Sequence, residues 1–405
     1  MTDSRYDVVI AGGGVVGLAT GLEITRRFPR LRLLLVEKED RVARHQSGHN
    51  SGVIHSGIYD KPGSLKARLC VAGAAAMIEF CREHGIPHQV CGKVILATTE
   101  AELSVLEGLR QRGEANGLKG LRVIGAEELR GIEPHARGLR ALVVPSTAVT
   151  DFALVCGKYV ELITSGGGTV LTAAAVTGLE RRAGEIVVET SRGTFSTGFL
   201  INCAGLFSDR ISRLAGDKPE VMIVPFRGEY YSLVQERQSL VRALIYPAPD
   251  PRLPFLGVHF TRRVSGNVDA GPNAVFALRR EGYGPMDISL RDLASSFLFP
   301  GFWRMAGKNW RSGGQEIYRS LSKRAFVRAL RKLVPEVQEE DLVPGGSGVR
   351  AQAVRRNGTL VDDFQIVPSD RMLHVLNVPS PAATASLLIA RTIVDMAGKS
   401  FAPLG

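Results

Sequence analysis

No apolar run in this chain approaches the ~18–20 residues that a membrane-spanning helix needs. Strand-like residues begin at Tyr6, which leaves no room for a signal or transit peptide, so the expected location is the cytoplasm, where the chain is made. Cysteine is scarce: Cys70, Cys81, Cys91, Cys156 and Cys203 form no CxxC pair and are odd in number, which suits a reducing compartment and buried free thiols. No metal is expected. Internal repeats and low-complexity tracts are absent. No finger, RNA-recognition or helix-turn-helix pattern accompanies the net charge of +11, so no nucleic-acid partner is expected.

What is present is an ordinary globular composition, 44% hydrophobic and 22% charged, over 405 residues. That length buries a large core and suits about two domains. The most informative stretch comes first. From Asp7 to Glu37 the chain reads as an apolar strand, a glycine turn, a helix and a second strand ending in an acid. This is a dinucleotide-binding unit of Rossmann type. Gly12 allows the tight turn after Val8–Ala11, Gly14 lets the backbone approach a pyrophosphate, and Gly17 lets the helix pack closely on the sheet. The pyrophosphate then lies at the helix N-terminus, against the N–H groups of residues such as Val15 and Val16. Glu37, followed by Lys38, can accept from both ribose hydroxyls and would repel a 2′-phosphate, which favours FAD or NAD over NADP. A glycine turn without a nucleotide is the plain alternative, and the complete strand, helix, strand and acid context stands against it.

Farther along, a polar loop at Arg41–Tyr59 leads to a helix over Ser64–His84, with apolar residues at Leu65, Leu69, Ala72, Ala76 and Phe80. A strand at Lys93–Ala97 and a charged helix over Glu100–Asn116 follow. Another helix within Val149–Gly168 leads to short strands at Gly168–Leu171, Val176–Glu180, Ile186–Glu189 and Phe199–Ala204, read as a meander crossing back to the nucleotide sheet. Val221–Asn273 is strand-rich, with turns at 248–251 and 265–267. A strand at His374–Val378 and a closing helix from Ala382 end the chain. The expected fold is therefore α/β, α+β overall: a Rossmann-like FAD-binding domain interleaved with a substrate domain on a mostly antiparallel sheet. The nucleotide domain is expected at 1–78, 148–220 and 345–405, and the substrate domain at 79–147 and 221–344.

Three segments favour FAD over NAD, because flavin-site character is scattered along the chain instead of confined to one contiguous domain. The first, His45–Tyr59, holds His45, Ser47, Asn50, Ser51 and Gly52. The second, Phe199–Asp209, is a strand ending in the small residues Ala204 and Gly205, with Ser208 beyond them. The third, Asn377–Thr384, runs from a strand into a helix start, with Ser380 at the expected N-cap, Pro381 in the first turn, and Ala382, Ala383 and Thr384 after it. A helix N-terminus there could stabilise negative charge on a reduced flavin ring.

These segments resemble the flavoprotein superfamily that contains D-amino-acid oxidase, glycine oxidase and glycerol-3-phosphate dehydrogenase, and within it the L-2-hydroxyglutarate dehydrogenases/oxidases. The resemblance covers nearly the full length. It is carried by HQSGHNSGVIHSGIY from His45, INCAGLFSDR at Ile201–Arg210, IVPFRGEYY at Ile223–Tyr231, LIYPAPDP at Leu244–Pro251 and PFLGVHFTRR at Pro254–Arg263. It continues in GPNAVFALRREGY at Gly271–Tyr283, GVRAQAV at Gly348–Val354 and VPSPAAT at Val378–Thr384. The last six together are specific to the subgroup. The resemblance implies oxidation of L-2-hydroxyglutarate to 2-oxoglutarate with bound FAD, and a membrane quinone or oxygen as electron acceptor. Val176 and Arg350 join the residues expected at the cofactor. The last cysteine is Cys203, so attachment through a C-terminal cysteine has no counterpart, and FAD is expected to be held non-covalently.

Oxidising an α-hydroxy acid needs a base for the hydroxyl proton and cations for carboxylates. Histidine is the commonest base at neutral pH. Either His55, in the loop expected beside the ring, or His259, on the wall expected opposite, can serve, with His55 narrowly favoured. His84, His88, His135 and His374 read as surface or satisfied core groups. A small dicarboxylate asks for two clamps, and arginine's planar fork fits a carboxylate. The candidates are Arg227, Arg262 and Arg350, with Tyr230, Thr261 and Gln352 as neutral partners. Glu229, two residues from Arg227, is a neutralising neighbour.

Charge is unevenly placed. Nine Lys or Arg and a single acid, Glu316, lie between Arg304 and Lys332, and both tryptophans, Trp303 and Trp310, stand near the start of that stretch. This basic aromatic segment, 297–332, offers peripheral contact with an anionic membrane at the inner face of the cytoplasmic membrane. A solvated basic helix packed on its own domain explains it equally well. Two other readings compete with the dehydrogenase: an amine or amino-acid oxidase of the same fold, and a non-catalytic flavin-binding scaffold.

Overall fold

The computed structural model describes residues 5–250 and 256–401. Pro251 of the turn expected at 248–251, and Pro254 and Phe255 of the motif that ends at Arg263, lie outside the described residues.

The first strand, Arg5–Ala11, has Val8, Val9 and Ile10 completely buried, as a strand covered on both faces must be. It pairs in parallel with Leu33–Val36 on one side and Gly193–Asn202 on the other. Thr169–Leu171 and Met372–Asn377 extend this parallel core outward. The meander Val176–Arg182, Glu185–Thr190 and Gly193–Asn202 is antiparallel and delivers its last strand back beside the first, as the turn residues predict. Helices Val15–Arg27, Leu65–Glu83, Phe152–Ser165 and Ala382–Phe401 bury their apolar residues in one core beneath this sheet. Small residues set the spacing: a Cβ on Gly73 would come within 2.7 Å of Ala385 Cα, so helices Leu65–Glu83 and Ala382–Phe401 touch backbone to backbone.

The second sheet has nine strands among the described residues, and every pairing is antiparallel except Leu244–Pro247 with Lys93–Ala97. Its spine is the pair Val221–Leu233 and Leu342–Arg355, in register from Val221 against Arg355 to Leu233 against Leu342. Within 345–405, the stretch expected in the nucleotide domain, residues through Arg355 are hydrogen-bonded along Val221–Leu233, and the first strand to join the parallel-core sheet is Gln365–Ser369. A small third sheet, Val53–Ile54, Ala148–Thr150 and His88–Val90, sits where the two larger units meet.

The closing helix begins at Ala382, and Pro381 O accepts from Ala385 N. Pro381 thus stands at the N-cap, and Ser380, expected there, lies one residue outside the helix. Between Leu290 and Leu330 four short helices run over the second sheet.

Candidate active site

A groove opens at the end of the parallel strands. It is lined by Gly12 and Gly14, by Glu37 and Lys38, by His45 and Ser47, and by Val176, Ala204 and Gly205, together with Gln46, Phe207 and Glu281. Gly12 has φ +117°, and a Cβ there would lie 2.4 Å from Cys203 O. A Cβ on Gly17 would lie 2.0 Å from Gly12 O, so the helix can start this close to the turn only with glycine at both positions. Glu37 accepts from Gly13 N at 2.6 Å and Glu39 N at 2.9 Å. Ser47 Oγ accepts from Val15 N at 2.8 Å, at the first turn of the helix, where an anion is favoured.

The loop beyond is shaped by its own side chains. Asn50 Nδ2 donates to Gln46 O and Ser47 O, and Asn50 Oδ1 accepts from Gly52 N at 2.8 Å. The Thr384 hydroxyl accepts from His55 N at 3.0 Å and donates to Val53 O, which ties the start of the closing helix to the segment that carries His55. Lys38, Glu39, His45 and Glu281 form one ionic cluster, with Lys38 Nζ 2.6 Å from Glu281 and His45 Nε2 2.9 Å from both carboxylates. The Lys38 ammonium, seconded by His45, holds the Glu39 carboxyl down to about 2. This trio of Glu39, His45 and Glu281 has the spacing of metal ligands, but Lys38 supplies its cation.

A second region forms where strands Lys93–Ala97, Leu244–Pro247 and His259–Arg262 lie side by side. His259 is buried and its ring lies 3.8 Å from that of Tyr246. Its Nδ1 donates to Gly257 O at 2.9 Å; a carbonyl only accepts, so the proton is on Nδ1 and Nε2 carries the lone pair. Lys93, 2% exposed, places its ammonium 4.5 Å from the Tyr59 ring centroid and 4.9 Å from that of Tyr246. Among the described residues its Nζ has no hydrogen-bond partner, and neither does Tyr59 Oη. Two cation–π contacts return about 0.5–2 kcal/mol each, against a desolvation cost of several kcal/mol for an unpaired buried ion.

Electrostatics follow from this crowding. Burial pushes His55 down to about 3, and the positive charges of Lys93, Lys66 and Arg350 push the same way. His259 also falls to about 3, through burial first, with the Gly257 carbonyl opposing and Arg350 and Lys93 adding. Burial lowers Lys93 to about 7. Tyr230 is raised by burial, and the Arg350 guanidinium beside its hydroxyl opposes that. Lys66 is matched by Asp60 at 3.4 Å. The result is a chamber of neutral imidazoles and phenols facing cations that outnumber the acids.

The FAD dependent oxidoreductase family profile matches residues 7–396 of this chain. The chain belongs to the FAD dependent oxidoreductase family. It is 49% identical over 397 residues to a protein named L-2-hydroxyglutarate dehydrogenase from Indibacter alkaliphilus, covering 98% of this chain and 100% of the other. It is 46% identical to the mitochondrial L-2-hydroxyglutarate dehydrogenase of Nematostella vectensis, over 98% and 91% of the two chains. Its fold is that of the dithionite-reduced L-alpha-glycerophosphate oxidase of Mycoplasma pneumoniae with FAD bound, with a TM-score of 0.80, 22% identity, and coverage of 97% and 95%.

The cofactor of this FAD dependent oxidoreductase fits the groove. The bare turn at Gly12–Gly14 leaves room for a pyrophosphate at the helix N-terminus, and Glu37 stands at the end of the second strand to accept from ribose. Among the residues expected at the cofactor, Gly12, Gly14, Glu37, Lys38, His45, Ser47, Val176, Ala204 and Gly205 line it. Ser208 is completely buried and donates to Leu376 O, so it braces the strand end instead. Gln46, whose Oε1 accepts from Ala351 N at 3.1 Å, and Glu281 are lining residues that sequence reasoning did not single out.

The candidates for substrate contact divide. His55, His259, Tyr230, Thr261 and Arg350 come together through the interactions above, with Thr261 near the Tyr246 hydroxyl. Arg227 does not join them: it is buried, its Nη2 donates to Glu229 at 2.7 Å and its Nη1 to Gly284 O at 2.8 Å. Arg262 donates to Gln238 O and Val241 O, and strand alternation puts it on the face opposite His259 and Thr261. Gln352 Nε2 donates to Ala353 O and Val361 O. Lys93 is the residue that the sequence reading passed over. Its only sequence signal was a lysine opening the otherwise apolar strand Lys-Val-Ile-Leu-Ala, fully buried in the fold.

Proposed function

We propose that this protein oxidises L-2-hydroxyglutarate to 2-oxoglutarate. The observation that carries the reading is the chamber holding two neutral histidines among cations, in a chain related over its whole length to proteins named for that reaction. When bound, FAD supplies the acceptor for the hydrogen and electron pair that leave the α-carbon. The protein's own residues supply the rest. Arg350, paired with the Tyr230 hydroxyl, takes a carboxylate, with Thr261 beside it. The hydroxyl proton goes to the His55/His259 pair, and His259 is built to take it at Nε2 because Gly257 O holds the proton on Nδ1. Burial first and the nearby cations second make both histidines weak bases. A dianionic substrate offsets the cationic part of that shift, so the base is strengthened by the arrival of the molecule it serves.

We assign the FAD-binding unit to the parallel sheet with its helices, and the substrate unit to the nine-stranded sheet. The start of the helix Ala382–Phe401, whose N-cap Pro381 carries no side-chain acceptor, is assigned the role of stabilising negative charge on the reduced ring. Electrons then pass to a quinone in the membrane, with oxygen as the alternative acceptor. Support for a membrane comes from the surface: Leu290, Leu298, Trp303, Trp310, Ile317 and Leu321 are all exposed by more than half, and helix Trp310–Leu321 buries none of its residues. Lys308 and Arg311 lie among them, an apolar face with basic neighbours that matches an anionic bilayer at the inner side of the cytoplasmic membrane. Among the described residues no helix is long and apolar enough to cross a membrane.

The test is anaerobic bleaching of the visible flavin spectrum of the holoprotein. Bleaching by L-2-hydroxyglutarate, with the D-enantiomer, glycerol-3-phosphate and glycine inert, is the expected result. Bleaching by glycine instead would establish an amine oxidase, and no bleaching by any of them would leave a flavin-holding scaffold.

A further inference from the structure

Lys93 stands apart from the other cations of the chamber. Lys66 has Asp60, and Arg350 is engaged with Tyr230. Among the described residues Lys93 Nζ is buried with no acceptor, and so is the hydroxyl of Tyr59, one of the two tyrosines whose rings flank it. Lys93 Nζ and Tyr59 Oη, buried donors with no hydrogen-bond acceptor among the described residues, describe a site for an anion, with the Tyr246 hydroxyl near Thr261 on its margin and Asp60 the acid whose charge reaches Lys93. They cannot be explained as core packing, since a methionine would fill the same volume without the cost of an unmatched charge.

Position says which anion. Ala351 N donates to Gln46, and a Cβ on Gly348 would lie 2.4 Å from His49 O. Arg350 therefore belongs to the strand that borders the cofactor loop. Lys93 enters from a different strand, with its ammonium against the rings of Tyr59 and of Tyr246, which lies tilted on His259. Building on the reading given above, we infer that Lys93, with the Tyr59 and Tyr246 hydroxyls, holds the distal carboxylate of the substrate and thereby selects a five-carbon dicarboxylate over a monocarboxylic 2-hydroxy acid. Lys93 is thus a specificity-determining residue, with the base and the Arg350 clamp left to other side chains.

The experiment compares holoprotein of wild type, K93M and K93R. Anaerobic flavin reduction is followed with L-2-hydroxyglutarate, L-2-hydroxybutyrate and L-malate, and binding of glutarate and butyrate is followed through the flavin absorbance. In K93M, KM for L-2-hydroxyglutarate and Kd for glutarate rise about 100-fold, the scale for removing one partner of a buried charge pair, while reduction by L-2-hydroxybutyrate changes less than about threefold. K93R keeps the charge on a longer side chain, so it retains the preference for diacids and shifts it about tenfold toward the shorter L-malate. A K93M enzyme with the wild-type ratio of diacid to monoacid overturns the inference, and so does a K93R enzyme with an unchanged ratio of L-malate to L-2-hydroxyglutarate. Wild-type protein that L-2-hydroxyglutarate does not reduce would instead overturn the substrate reading itself, before any variant is compared.

Discussion

Arg280 grips Asp209 with both ends of its guanidinium, and the two side chains are only 3% and 0% exposed. Arg280 Nη2 donates to Asp209 Oδ2 at 2.9 Å, while its Nη1 also reaches Leu206 O at 2.5 Å. Asp209 follows the strand end that lines the cofactor groove, and Arg280 comes from the segment carrying Glu281 and Tyr283, so one buried pair joins the two units at the groove. Removing Arg280 leaves the fully buried Asp209 to the half-exposed Arg213, 2.9 Å away, and to Ile223 N. R280M is expected to cost about 3–5 kcal/mol in urea unfolding of the holoprotein. A loss below about 1 kcal/mol would mean that the pair is dispensable.

The glycine turn gives a sharper test. G12A introduces a Cβ 2.4 Å from Cys203 O at φ +117°, and it should abolish flavin retention, read as the ratio of absorbance at the flavin band to that of the protein. G131A, in a helix where a Cβ meets nothing, should leave that ratio unchanged.

Acid stability follows from the two neutral histidines. Below their ordinary value of 6.5 the unfolded chain takes up protons at His55 and His259 that the folded chain refuses until about 3. Their contribution is complete above pH 6.5 and is lost as the pH falls toward 3, by up to about 2.7 kcal/mol per pH unit for the pair. The H55N/H259N protein should show a smaller drop in urea midpoint between pH 7 and pH 5 than wild type. Equal drops would place the acid sensitivity elsewhere.

The base is separable by kinetics. H259N should slow anaerobic flavin reduction by about 10²–10⁴-fold while the Kd for glutarate moves only a few-fold. H55N should cost less; a larger loss in H55N would exchange the two roles.

The proposed membrane contact draws on the first half of the basic segment alone. Helix Lys323–Leu330 buries Phe326, Val327 and Leu330, and Arg331 donates to Val337 O, so that half is an ordinary surface helix. K308E/R311E should abolish co-sedimentation with phosphatidylglycerol vesicles, and wild type should not sediment with phosphatidylcholine vesicles. R324E should change little, since Arg324 already lies 3.3 Å from Glu339. Unchanged sedimentation of K308E/R311E would remove the docking surface.

The nucleotide unit was legible in the sequence because its chemistry is local. Gly12, Gly14, Gly17 and Glu37 fall within one strand–helix–strand, and the backbone conformation of the turn dictates their type. The strand Lys93–Ala97 and the closing helix from Ala382 were likewise readable from apolar runs and small residues. The pairing of residues 345–355 with Val221–Leu233 was not legible, because sheet membership depends on a partner more than a hundred residues away.

The substrate chamber is the part that only the tertiary structure decided. A motif places an arginine in the chain, but strand alternation and competing acceptors decide what it meets: Arg262 turns to the opposite face of its strand, and Arg227 is taken by Glu229. Lys93 carries no local signal, because its meaning comes from Tyr59 and Tyr246, brought to either side of it by strand pairing. Burial and unmatched charge are properties of assembled neighbours. A linear sequence specifies them only through the fold it produces.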